Sequence, residues 1–175
     1  MFLEATVVAV GLIISSFLKG INFLSLNFEF LNTGAIYPDF LLIFVIFFSI
    51  RKGDFNGIWI GFFAGLLEDS QLLAYDESAR EFVSIIGVHS LVYCLAGYTI
   101  GRLNRLLDRD SIASILVLVF ATTLIVRIAV WLIMGMVDQF SAAYPLLGPA
   151  VYTAGIAPIW FWVLTTIYRL DSQNR

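Results

Sequence analysis

The sequence predicts an all-α polytopic membrane protein, a single integral domain over residues 1–175 with six transmembrane helices. Three observations carry that expectation. Hydrophobic residues make up 60% of the chain and charged residues only 13%, with a mean hydropathy of +0.92, a balance far too apolar for a soluble domain of this size. The apolar residues fall in long runs separated by short polar breaks. Basic residues gather at alternate breaks, as the positive-inside rule requires of a chain that crosses a bilayer repeatedly.

The first run spans residues 2–18. It has no Lys or Arg before it, carries Glu4, and lacks a small-residue cleavage site at Ser15–Ser16, so it reads as a retained span and not a signal peptide. The mixed stretch Ile21–Tyr37 follows. There Leu24, Leu26, Phe28 and Phe30 alternate with Ser25, Asn27 and Glu29, which fits an extended loop on the membrane surface better than a docking strand for a partner. The second span, residues 36–50, opens at Pro38–Asp39 and continues as FLLIFVIFFSI. It is short for a crossing unless the residues before Pro38 enter the bilayer in non-helical form. The remaining spans are 55–75, 82–103, 111–137 and 145–168, the last expected to kink at Pro158.

Arg51, Lys52, Arg102, Arg105, Arg109, Arg169 and Arg175 fall on one side of such a six-span chain, against Lys19 and Arg80 on the other. The rule places that side, and both termini, in the cytoplasm. Glu29, Asp76, Glu77, Glu81 and Asp138 collect on the opposite face.

The third span carries a regular mark. Glycines recur at Gly53, Gly57, Gly61 and Gly65, and the next step of four reaches Asp69. On a helix this makes a slowly winding stripe without side chains. Each glycine weakens a helix by about 1 kcal/mol relative to alanine, so the stripe implies close approach of another helix. Gly57, Gly61 and Gly65 form either an internal packing seam or a groove for a partner helix.

Polar groups at membrane depth are the second mark. Arg127 sits in the middle of the fifth span and needs an interior partner. Counting about 1.5 Å per residue from the cytoplasmic charges sets Arg127, Asp69, His89 and Asp39 at about 18–25 Å, in the outer half of a hydrocarbon layer about 30 Å thick. Asp69 is the expected partner of Arg127, with Glu68 or Asp39 as alternatives. The favoured reading is an interhelical ion pair that fixes packing; the sharper one is an outer-face polar site or a transport relay. His89 and Tyr93, four apart, suggest a hydrogen bond within the bundle.

Several chemistries lack their equipment. One cysteine, Cys94, and one histidine supply neither a disulfide framework nor a zinc set. Cys94 lies five residues from His89 and off its face, so a nucleophile pair is not expected. There is no phosphate loop, HExxH or GxSxG, and an Asp39–Asp69 dyad would be held ionised by Arg127. No cofactor, enzymatic activity or nucleic-acid partner is expected.

Pro38-Asp39-Phe40-Leu41-Leu42, then Gly61-Phe62-Phe63-Ala64-Gly65-Leu66-Leu67-Glu68-Asp69, then Gly87-Val88-His89-Ser90-Leu91 and Gly97-Tyr98-Thr99-Ile100-Gly101 together resemble the rod shape-determining protein MreD family. The resemblance covers about residues 37–105; the flanking spans match only in length and apolarity. It implies a bacterial inner-membrane protein of the elongasome, acting in lateral peptidoglycan synthesis and cell-shape maintenance. The implied partners are a single-span MreC-like protein and, directly or indirectly, MreB, RodA and a class B penicillin-binding protein. It also implies a fold like the S components of energy-coupling-factor transporters, and with it an alternative role as a small-molecule-binding transport subunit with an outer-face pocket. The acidic, glycine-free segment Ser70–Glu81 departs from the short glycine-containing loop frequent in that family.

Overall fold

The computed structural model describes residues 2–19, 26–27, 35–71, 74–76, 81–83, 86–104, 111–136 and 145–173. Within them lie six helices: α1 (Phe2–Lys19), α2 (Phe40–Lys52), α3 (Asp54–Gln71), α4 (Val88–Leu103), α5 (Ile112–Met136) and α6 (Leu147–Gln173). By length and composition two are fit to cross a membrane, residues 112–136 and 147–167.

The six helices make the fold all-α, as expected, and two short antiparallel ribbons accompany them. β1 (Leu26–Asn27) pairs with β2 (Ala35–Ile36), and β3 (Ala74–Asp76) pairs with β4 (Glu81–Val83). The first ribbon lies within the stretch Ile21–Tyr37, of which Leu24, Ser25, Phe28, Glu29 and Phe30 lie outside the described residues. The second takes residues from the ends of two expected spans. α3 stops at Gln71, short of residue 75, and α4 starts at Val88, well after residue 82. Phe82 and Val83 are apolar enough to be counted into a helix, and a short apolar run does not distinguish strand from helix.

α2 is the centre of the bundle. Every residue from Phe40 to Ile50 is buried, and the helix packs against α1, α3, α4, α5 and α6. A helix apolar all round is one that neighbours surround, and its thirteen residues rise only about 20 Å, less than a bilayer core. Residues 37–39 lead into it without regular structure, and Ile36 on β2 lies against Gly148 of α6. Aromatic contacts fill the interior: Phe44 with Phe48 at 4.6 Å, Phe47 edge-on to Phe161 at 5.3 Å, and Phe40 with Trp160 at 5.1 Å between ring centroids.

One residue, Gly53, separates α2 from α3. Its φ of 86° is open to glycine at little cost, and its N–H donates to the Ser49 carbonyl at 3.0 Å. At this end Arg51 lies over the Phe47 ring at 4.6 Å and donates to Thr165 Oγ1 on α6 at 3.0 Å.

The outside of the bundle is apolar. Ile125, Leu132 and Met136 on α5 and Val151, Ile159 and Trp162 on α6 are all exposed. Such a surface suits lipid and would be an association hazard in water.

Candidate functional site

α3 and α4 form the closest helix pair, and the glycine stripe explains why. A β-carbon at Gly57 would overlap the Gly97 backbone, one at Gly61 the Tyr93 backbone, and one at Gly65 the backbone of His89 and Ser90. At the far end, a β-carbon at Gly101 would lie 2.5 Å from the backbone of Asp54. Real β-carbons do not come so close to backbone atoms, so these positions admit only glycine without a shift. The neighbour of Gly57, Gly61 and Gly65 is thus a helix of the same chain.

Above the stripe stands Asp69, fully buried on α3. Its carboxylate reaches the start of α4. Oδ2 accepts from the Gly87 N–H at 2.8 Å, the Ser90 N–H at 3.3 Å and the Ser90 hydroxyl at 3.2 Å. Oδ1 accepts from the His89 N–H at 3.0 Å and lies 2.9 Å from His89 Nδ1. The first amides of a helix have no partner within it, and a negative charge there is favoured by the helix dipole. α4 begins after Gly87, which has no side chain to cap it. Asp69 supplies that cap from the neighbouring helix. With an acceptor-only carboxylate, the tautomer that fits is the one with the proton on Nδ1.

A second carboxylate is used in the same way. Asp39 caps α2, its Oδ1 accepting from the Leu42 N–H at 2.9 Å. The Tyr93 hydroxyl donates to Asp39 Oδ2 at 2.6 Å, and the Asp39 N–H donates to Thr153 Oγ1 at 3.0 Å. Tyr93 and Thr153 are both fully buried. One residue thereby ties α2, α4 and α6 together.

Tyr93 joins the two carboxylates into one polar seam. Its ring meets the His89 ring edge-on at 5.9 Å, so the expected hydrogen bond between them is replaced by a ring contact, each ring giving its polar atom to a different aspartate. Hydrogen bonds and the ring contact thus bring together Asp39 from α2, Asp69 from α3, His89, Ser90 and Tyr93 from α4 and Thr153 from α6, with Glu68 next to Asp69 in the chain and Arg127 on α5. Glu68 is buried and Arg127 partly so. The two oxygens of Asp69 accept from Gly87, His89 and Ser90.

Cys94 points away from His89, its thiol 3.4 Å from the Ile58 carbonyl. Among the described residues, no group of three or more His, Cys, Asp or Glu side chains is placed to hold a metal ion. Sequence reasoning missed the hub role of Tyr93 and the parts played by Ser90 and Thr153. The one signal for the Asp69 cap was a helix start at Gly87 without a capping side chain.

The family model for rod shape-determining protein MreD matches residues 5–169. The chain belongs to the MreD family. No curated protein and no solved structure gives a match. Membership carries a role in determining rod shape and makes the chain a membrane protein of a family not known for catalysis. The match also reaches well beyond the residues 37–105 that carry the resemblance by eye, taking in α1, α5 and most of α6.

Proposed function

We propose that this chain is a non-enzymatic scaffold in the inner membrane of a rod-shaped bacterium, holding a single-span MreC-like partner in the elongasome and so supporting lateral peptidoglycan synthesis. Contact with MreB, RodA and a class B penicillin-binding protein is direct or through that partner. The observation that carries the scaffold reading is how the buried carboxylates are used. Both oxygens of Asp39 and of Asp69 accept hydrogen bonds from helix starts and neighbouring side chains, which supports a part in joining helices over one in moving protons. Without a hydrophobic drive between helices in lipid, close backbone packing and polar links are what hold a bundle together.

The alternative, a small-molecule-binding transport subunit with an S-component-like fold, draws less support. The two cavities described are lined by none of Asp39, Asp69, His89 and Arg127. In the orientation proposed, both termini lie in the cytoplasm and the polar seam sits toward the outer face, as the basic residues at Arg51, Lys52 and Arg102 suggest. Depletion in the source bacterium is expected to turn rods into spheres, and affinity capture of the chain from membranes is expected to bring down a single-span elongasome protein. Unchanged cell shape with no such protein captured would refute the scaffold reading.

A further inference from the structure

α6 runs from Leu147 to Gln173 with Pro158 inside it, near the middle of its apolar part, residues 147–167. Proline has no N–H to give to the Ala154 carbonyl and its ring crowds that oxygen, so the helical ladder is weakest between these two residues. Gly155 lies within that weak turn. A β-carbon at Gly57, Gly61, Gly65, Gly97 or Gly101 would overlap a neighbour's backbone, whereas one at Gly155 would meet nothing within 4 Å. Glycine weakens a helix interior, and at Gly155 no close helix contact offsets that cost. What it adds is backbone freedom, one turn before a proline.

The two parts of α6 on either side of this turn are held to α2 differently. On the Gln173 side, Phe161 meets Phe47 edge-on at 5.3 Å and Thr165 accepts from the Arg51 guanidinium at 3.0 Å. On the Leu147 side, Thr153 Oγ1 accepts from the Asp39 N–H at 3.0 Å, and Gly148 meets only the side chain of Ile36. The Thr153 bond also ties α6 to the polar seam, because Asp39 accepts from Tyr93 and from the Leu42 N–H. Next to the turn, Trp160 rests on Phe40 with its indole N–H buried and without an acceptor among the described residues. An unmet buried donor is costly, so this packing is held against a penalty.

We propose that α6 is a hinged strap. The turn from Ala154 to Pro158 is the hinge, residues 147–153 swing on it, and the Asp39–Thr153 hydrogen bond is the latch that holds them against α2. Residues 159–167 stay fixed. The chain thereby has a latched and an open state at the end of the bundle where the polar seam lies, and anything that binds one state better shifts the balance. The inference goes beyond the scaffold reading and does not depend on it.

The test uses the full chain in lipid nanodiscs with its single cysteine replaced, Cys94→Ala, and spin labels on two pairs of exposed positions. Leu91 with Val151 reports on the Leu147 part of α6, and Leu103 with Ile167 on the Gln173 part. Pulsed electron–electron distance measurement is expected to give two distances for the first pair and one for the second. Thr153→Val, which removes the acceptor, should raise the ratio of longer to shorter distance about fivefold, the change that one net hydrogen bond supports. Gly155→Ala/Pro158→Ala should leave only the shorter distance. Should that double variant fail to fold, Gly155→Ala alone, whose methyl meets open space, is expected to lower the longer fraction. A single distance for the first pair even in Thr153→Val would overturn the hinge, as would two distances that persist unchanged in the alanine variants. Equal broadening of both pairs would overturn it too, by showing that α6 moves as one rod. Two distances whose ratio ignores Thr153→Val would overturn the latch.

Discussion

On one side of α3, Gly57, Gly61 and Gly65 bring the backbone of α4 into contact; on the other, Trp59 and Phe63 line a groove of about 730 Å³ that α1 leaves open. The two faces interleave along the same turns of α3, yet they use opposite residue types. In lipid, apolar side chains gain little by leaving the tails for one another, so a permanent contact has to come from close packing and polar links. The glycine face has both, being capped at its top by Asp69 on the start of α4. Among the described residues, the aromatic face lines the groove instead. The residue type on each face of α3 thus separates a backbone contact with α4 from the wall of an apolar groove.

The strongest way to break this contrast is to put a side chain into the closed face. Gly61→Leu is expected to abolish recovery of folded, monodisperse protein in detergent, because the new side chain would have to displace the Tyr93 backbone. Trp59→Leu, two residues away on the open side, should be recovered at the normal level. Equal recovery of both would mean that α3 and α4 are not packed as described.

Next in size is the cap. Asp69→Ala leaves the Gly87, His89 and Ser90 amides without an acceptor in a buried place. A loss of about 3 kcal/mol or more is expected, since buried donors stranded beside a removed charge cost the full desolvation penalty. Asp69→Asn keeps one acceptor oxygen and should lose less. Thermal unfolding in detergent measures both, and an alanine variant as stable as the parent would remove Asp69 from its place in the α3–α4 contact.

Tyr93→Phe sharpens the comparison between the two carboxylates. It removes one hydrogen bond to Asp39 and leaves the helix cap to Leu42 in place. The expected loss is about 1.5–3 kcal/mol, the range for a bond to a charged group, and no larger than for Asp69→Ala. The same unfolding assay ranks the two, and a larger loss for Tyr93→Phe would make Tyr93, not Asp69, the main tie of the seam.

Much of this was legible in the chain. A membrane leaves backbone groups no water to bond, so long apolar runs become helices, and all six helices lie where apolar runs were read. Their ends were less visible. Residues 82–83 look helical by apolarity and lie in a strand, and the thirteen-residue α2 read as a short span when FLLIFVIFFSI, apolar on every side, was the mark of a helix surrounded by others. Every fourth residue being glycine announced a close neighbour without naming it, because α4 carries only Gly97 and Gly101 opposite. The partners of Asp69 were hidden for a different reason. Three of them are backbone amides, which have no letter in the sequence, and only the missing cap at Gly87 pointed to them.

The smallest effect expected is at the other end of the same helix pair. Asp54 begins α3 as Asp69 nears its end, and it too faces α4, with Arg102 Nη1 at 3.6 Å from its Oδ2. The side chains of Arg102 and Asp54 are 72% and 40% exposed, so water and headgroups screen the pair and the long arginine side chain gives up rotamer freedom to hold it. Exposed ion pairs of this kind contribute roughly 0–1 kcal/mol. Arg102→Ala is therefore expected to change stability by less than about 0.5 kcal/mol, with the backbone contact between Gly101 and Asp54 left to hold that end of the helices. Unfolding of Arg102→Ala beside Asp69→Ala in one detergent and salt series checks this. A loss at Arg102 as large as at Asp69 would show that charge across the exposed end, and not burial of the cap, sets the strength of the α3–α4 contact.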